Sequence, residues 1–229
     1  MGDTVRAMER SVRDLVGETD VETLSAGEVL DAALDRLPAV ALACSFQKEE
    51  SVPIDMLLER RPEARIFTLD THVLFPESYA LWRELEQRYG IRIEVYEGPS
   101  LGRQAATHGD ALWERNPDLC CSIRKIAPLA EALSGLDGWI TGVRRDQAPS
   151  RATTPKLGWD DRHELWKASP LADWTDDDVW AYVRERDLPV NPLHDRGYAS
   201  IGCTHCTAPG AGRDGRWAGT GKTECGLHA

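Results

Sequence analysis

The stretch Ala39-Val40-Ala41-Leu42-Ala43-Cys44, followed by Ser45-Phe46-Gln47-Lys48-Glu49-Glu50-Ser51, decides the fold. Its first six residues form an apolar run bounded by Pro38 and a polar loop, the pattern of a short buried strand. Pro53–Arg60 reads as a helix that returns the chain to a second strand, Arg65–Leu69. The turn Asp70–Phe75 leads to Pro76, which suits a first helical position, and this helix runs to about Tyr89 before Gly90 stops it. Ile91–Tyr96 alternates as a third strand, and Gly138–Gly142 reads as a fourth. Upstream, residues 5–16 and 26–37 read as helices; Ser25 and Glu28 open the second at capping-box spacing and Pro38 closes it. Strand and helix alternate at a spacing that specifies an α/β fold, a mostly parallel sheet with helices on both faces. Ligands of such sheets bind beyond the carboxyl ends of the strands. Those ends carry Ser45–Ser51, Asp70–Phe75 and Val143–Arg151.

At 229 residues, 41% hydrophobic and 28% charged, the chain suits one α/β domain with a full core. The composition changes only after Cys206, where Thr207–Gly221 holds five glycines and one proline. Residues 1–206 are therefore expected to form the domain, and residues 207–229 a mobile tail. The N-terminus lacks the apolar segment of a secretion signal and no apolar run approaches a membrane span, so a cytoplasmic protein with no membrane contact is expected. A net charge of −11 argues against nucleic acid as a partner, yet permits a small anionic substrate if the pocket itself is basic. A homo-oligomer is compatible with all of this.

Six cysteines in a chain without an export signal favour metal or redox chemistry over a disulfide framework. Cys120 and Cys121 are vicinal, Cys203-Thr204-His205-Cys206 is a C-x-x-C, and Cys225 stands alone near the end. Taken singly, the first pair suits a buried core and the second a redox dithiol. Together they point to one four-thiolate metal site closed by the fold. Zinc and a [4Fe–4S] cubane both accept four thiolates. Adjacent side chains point apart, which is awkward around one tetrahedral ion. The arrangement suits a cubane better, because each iron takes its own thiolate. Cys44, ending an apolar strand, is expected to be core. Cys225, on a glycine-rich segment, suggests a nucleophile that moves.

Basic residues gather near these cysteines. Arg124 and Lys125 follow the vicinal pair, on the expected first turn of a helix running to about Leu133; Arg144, Arg145 and Arg151 follow a strand; Arg213 and Arg216 lie in the tail. Any one arginine is as well explained as solvated surface charge. Their clustering at ligand-side loops of an acidic protein indicates a pocket for sulfate or phosphate oxygens. The Ser45–Ser51 loop has no glycine, which argues against backbone cradling of a pyrophosphate. Asp70-Thr71 either contacts a ribose or caps the turn. Among the six histidines only His205 and His228 have suggestive positions, and the eight tryptophans read as core or interface.

Four blocks resemble the signatures of the assimilatory adenylyl-sulfate reductase family: Pro170–Trp180 (PLADWTDDDVW), Asn191–Tyr198 (NPLHDRGY), Ser200–Thr207 (SIGCTHCT) and Glu224–His228 (ECGLH). Leu69-Asp70-Thr71, Cys120–Lys125 (CCSIRK) and Thr141–Arg145 (TGVRR) fit as well, so the resemblance spans residues 39–229. It implies an adenine-nucleotide α-hydrolase-like fold, related to ATP pyrophosphatases and close to Rossmann-like sheets. The implied activity is reduction of adenosine 5′-phosphosulfate to sulfite and AMP by thioredoxin, in sulfate assimilation toward cysteine.

The resemblance also implies a [4Fe–4S] cluster on Cys120, Cys121, Cys203 and Cys206. Cys225 becomes the nucleophile that carries an S-sulfocysteine. Substrate contacts fall to Ser45, Phe46, Leu69, Asp70, Thr71, Lys125, Gly142, Arg144, Arg145, Arg213 and Arg216. One departure concerns the first loop, where members carry a glycine and this chain reads Ser-Phe-Gln-Lys-Glu-Glu-Ser. Related reductases of 3′-phosphoadenosine 5′-phosphosulfate typically lack both cysteine pairs, so the unphosphorylated substrate is favoured and the phosphorylated one is the alternative. Two other classes compete. A PP-loop ATP-dependent ligase or thiolase would consume ATP, and a zinc-stapled binding module would be colourless.

Overall fold

The structure, a computed structural model, describes residues 12–228. Its sheet has six strands: β1 Val40–Cys44, β2 Arg65–Asp70, β3 Glu94–Glu97, β4 Gly138–Ile140, β5 Leu157–Asp160 and β6 Leu165–Ala168. They lie in the order β3-β2-β1-β4-β6-β5. All pairings are parallel except β5 with β6. Side chains alternate across a strand, and both faces are covered. Leu42, Ile66 and Ile140 enter one core cluster, while their neighbours Ala41, Phe67 and Trp139 enter another. That two-sided burial is why β1 reads as an unbroken apolar run.

The expected helices recur with their local signals. Ser25 Oγ accepts from Glu28 N–H at 3.3 Å and Ser25 N–H donates back to Glu28 at 2.7 Å, opening Ala26–Arg36. Pro76–Tyr89 ends on Gly90 at φ +65°. Of the expected N-terminal helix, Val12–Val16 is helical and residues 5–11 lie outside the described residues.

The structure also departs from the sequence reading in places. The helix after β1 begins at Lys48 and carries Pro53 within it, because Glu50 accepts the Gln47 N–H at 3.1 Å and starts the helix early. The first loop thereby shrinks to Ser45-Phe46-Gln47. The hairpin β5–β6 went unread because its strands are four residues each and carry charge beside their apolar residues. The vicinal cysteines end a helix rather than precede one. Pro117–Cys121, a π-helical turn Ser122–Ile126 and Ala127–Leu133 follow in unbroken succession, so Arg124 and Lys125 sit mid-run on the wider turn.

Beyond Cys206 the described residues contain no regular helix or strand, yet they pack on the domain. Thr207 pairs with Arg216 and Tyr198 with Gly210 through isolated bridges, and Trp217 and Cys225 are buried.

Candidate active site

After β1 the chain builds β2 and β3 on one side; β4 and β6 lie on the other. The order of strands therefore reverses between β1 and β4, where an open α/β sheet forms its ligand crevice. A cleft opens there, its mouth continuous with solvent. One part of its wall is apolar, with Phe67, Leu69, Leu129, Trp139 and Leu227; another carries Lys125, Arg151, Arg213 and Arg216. An aromatic base and an anionic group would each find a matching wall.

The first loop achieves its turn without glycine. Phe46 takes φ +58°, a left-handed conformation that costs a bulky residue energy. Packing holds it there: its ring stacks on Trp82 at 5.4 Å, and its carbonyl accepts from Asn191 Nδ2 at 3.3 Å. Below the loop, burial first and then the adjacent Glu49 carboxylate push Glu50 up to about 8, so this cleft-lining carboxyl is largely neutral at pH 7. Gly142 lets the end of β4 approach the same helix, since a β-carbon there would stand 3.2 Å from both Glu49 Cβ and Glu50 Oε1.

Cys120, Cys121, Cys203 and Cys206 line one further cavity together with Trp113, His205 and Trp217. Trp113 and His205 stack face to face at 4.0 Å. Burial pushes the Cys120 and Cys121 thiols up, and Cys206 up to about 11, so a metal would be needed to hold these groups as thiolates. Four cysteine thiols on the wall of one cavity are a donor set that suits a thiolate-bound metal centre. Cys44 lies apart, buried in the core.

Cys225 lies in the cleft wall and packs with Cys121 and Trp217. Burial is the largest single influence and pushes its thiol up. Lys125, the Leu227 backbone N–H and Arg216 together outweigh it and hold the pKa below the ordinary cysteine value. Around Lys125 burial disfavours the ammonium, but Cys203, Cys225 and Cys121 outweigh that and keep the pKa raised. His228 is no charge partner, because burial pushes it well below the histidine range and leaves it neutral, stacked on Trp139 at 5.5 Å. Glu224, the residue before the thiol, is gripped by Arg151 at 3.0 and 3.1 Å and by Arg213 at 2.9 Å.

The family model of the phosphoadenosine phosphosulfate reductase domain matches residues 39–209. The chain belongs to the phosphoadenosine phosphosulfate reductase family. The adenosine 5′-phosphosulfate reductase of Lysinibacillus sphaericus is 48% identical over 195 residues, 82% of this chain and 84% of that one. Its namesake in Geobacillus kaustophilus is 45% identical over 217 residues, 92% of each chain. The crystal structure of phosphoadenylyl-sulfate reductase from Candida auris, a phosphate complex, matches with a TM-score of 0.74 and 32% identity over 82% of this chain and 92% of that one. FMN adenylyltransferase from Candida glabrata, 16% identical with a TM-score of 0.53 over 91% of this chain and 66% of that one, shares the fold alone. The sheet is thus the nucleotide α-hydrolase-like one that the resemblance implied.

Of the residues that the family resemblance nominated, Ser45, Phe46, Leu69, Thr71, Lys125, Gly142, Arg213, Arg216 and Cys225 line the cleft. Three do not. Asp70 caps its own turn, accepting from His72 N–H and Tyr79 O–H at 2.7 Å each. Arg144 is buried against Glu49 at 3.0 Å, Asp146 at 2.6 Å and Asp176 at 3.0 Å, so its charge is already matched inside the domain. Arg145 turns to Glu22 and the Thr154 carbonyl. Gln147, Arg151 and Trp139, which the resemblance did not nominate, line the cleft as well. Arg151 was within reach of the sequence, since it shares the Val143–Arg151 loop. Two short 3-10 turns, Arg145–Gln147 and Pro149–Arg151, decide which arginine returns to the cleft.

Proposed function

We propose that this protein reduces adenosine 5′-phosphosulfate to sulfite and AMP, with Cys225 as nucleophile and a thioredoxin as reductant, in cytoplasmic assimilation of sulfate. The carrying observation is a thiol of lowered pKa in the wall of the cleft at the sheet's switch point, beside Lys125 and Arg216. The names of the relatives support the substrate. The apolar wall suits adenine, and the cationic wall suits the phosphosulfate.

Cys225 thiolate attacks the sulfonate sulfur, and the bond from that sulfur to the AMP oxygen breaks with its electron pair going to AMP. Lys125, Arg151, Arg213 and Arg216 neutralise the charge gathering on the leaving phosphate. Cys225 is left as S-sulfocysteine. A thioredoxin thiolate attacks the Cys225 sulfur and sulfite departs with the bonding pair. The second thioredoxin thiol resolves the mixed disulfide and returns Cys225. Both electrons come from the dithiol. Cys225 is buried, so the tail must open before a protein reductant reaches it. Cys120, Cys121, Cys203 and Cys206 would hold a [4Fe–4S] cluster, which would supply a fixed charge beside Lys125 and would tie the Cys120–Cys121 helix to the C-x-x-C segment.

The test is anaerobic incubation with adenosine 5′-phosphosulfate and no reductant, followed by peptide mass spectrometry. One sulfonate on the Cys225 peptide, released as sulfite by thioredoxin, is the expected result. Label on Cys203 or Cys206, or sulfite production by Cys225→Ser, would refute the mechanism. The 3′-phosphorylated substrate is the second reading, favoured by the family description and the Candida auris relative. A higher kcat/KM for it would displace the first.

A further inference from the structure

Two of the arginines in the cationic wall are already engaged, and by a residue of the tail itself. Arg151 donates through Nε to Glu224 Oε1 at 3.0 Å and through Nη2 to Oε2 at 3.1 Å. Arg213 Nη2 donates to the same Oε2 at 2.9 Å, and Ser150 Oγ donates to Oε1 at 3.2 Å. The side chains of Arg151, Arg213 and Glu224 are 9%, 14% and 14% exposed, so this contact is shielded from water. A guanidinium fork recognises two coplanar oxygens, whether a carboxylate, a phosphate or a sulfate presents them. Burial opposes charge on Glu224, but Arg151 and Arg213 outweigh it and keep the group ionised. Glu224 precedes Cys225 directly, so what happens to its carboxylate is felt at the thiol's backbone.

We propose that Glu224 is an internal stand-in for the substrate's oxyanion: it occupies Arg151 and Arg213 in the resting protein, and an arriving phosphate or sulfate group displaces it and frees the segment bearing Cys225. The proposal rests on reading the cleft as a phosphosulfate site. Glu224 is a positioning residue, acting through the two arginines. Three consequences follow. The arginines are held in place before substrate arrives, the anion site is self-inhibited by a tethered competitor, and the nucleophile stays covered while the site is vacant.

Calorimetric titration of AMP and of inorganic sulfate into the anaerobically purified full-length protein tests it. Glu224→Gln keeps the shape and loses the charge, so it should bind both probes about tenfold more tightly, the scale of one charge-assisted hydrogen bond. Glu224→Asp should stay close to wild type. In an Arg151→Met background the gain from Glu224→Gln should shrink, since one of the two contested arginines is gone. Equal or weaker binding by Glu224→Gln would overturn the proposal, and weaker binding is the mark of a carboxylate that only holds the tail folded. A wild-type protein that ignores AMP but binds sulfate in this Glu224-dependent way would refute the nucleotide reading and keep the stand-in. Should Glu224→Gln fail to fold, tryptic cleavage after Lys222 in the wild type decides: sulfate must accelerate it relative to chloride at equal ionic strength. Equal rates would overturn the proposal.

Discussion

Replacing Gly202 by alanine probes the placement of Arg216 without touching its charge. A β-carbon at 202 would lie 2.3 Å from Arg216 Nη2 and 2.5 Å from Cζ, far inside contact distance, so the guanidinium must move. In moving it leaves the Ser200 hydroxyl at 3.2 Å, the Ile201 carbonyl at 3.1 Å and the Trp217 ring, whose centroid is 4.5 Å away. Two hydrogen bonds and a partly shielded cation–π contact give a stability loss of roughly 1–3 kcal/mol, since the freed side chain regains water. For a chain of this size that is about 2–4 °C of melting temperature per kcal/mol. The loss of one charged donor from the anion site is larger in effect, roughly 1.5–3 kcal/mol, or tenfold to a hundredfold weaker AMP binding. Calorimetry with AMP and adenosine, alongside iron content per chain, separates the contributions: AMP should weaken and adenosine should not. Gly221→Ala is the control, because a β-carbon there meets nothing within 4 Å. Wild-type AMP affinity in Gly202→Ala would refute the role of Arg216. Equal losses in both variants would shift the cause to tail packing at large.

Other outcomes follow from the same geometry. Anaerobic protein is expected to be brown, with about four irons and four sulfides per chain. Serine at Cys120, Cys121, Cys203 or Cys206 should abolish the colour while Cys44→Ser leaves it; stoichiometric zinc would contradict the cluster. Because the Cys225 pKa is lowered, its alkylation should reach half-maximum below the pH of an ordinary thiol, and Lys125→Gln should move that midpoint upward. Unchanged midpoints would remove Lys125 from the account. Glu50 is raised from 4.5 to about 8, so its neutral form contributes stability that is full below pH 4.5 and lost as pH rises through 8. Melting temperatures of wild type should therefore fall across that window more than those of Glu50→Gln, and parallel curves would show that Glu50 titrates normally.

The sheet was legible because its central strands are buried on both faces and need apolar residues without interruption. Leu42, Ile66 and Ile140 facing one side, with Ala41, Phe67 and Trp139 on the other, leave no room for a polar pattern that mimics a helix. The hairpin β5–β6 lacked that signal, since Asp160 and Lys167 interrupt its short strands. The thiol pairs were legible as a set because chemistry fixes their number. Which arginine lines the cleft was not, because Arg144 and Arg151 differ only in how the intervening turns rotate the chain and in which carboxylates await them. The strained Phe46 was hidden for a similar reason: the glycine rule yields where Trp82 and Asn191 hold a larger residue in place.

The π-helical turn at Ser122–Ile126 gives the molecule a party wall. Lys125, from that turn, and Arg216, from the tail, line both the switch-point cleft and the cysteine chamber. Two cations thus serve two rooms, and neither room can change its charge in private. Converting the thiol quartet to thiolates would be registered next door as a change in anion affinity, with every residue that lines the cleft still in its place.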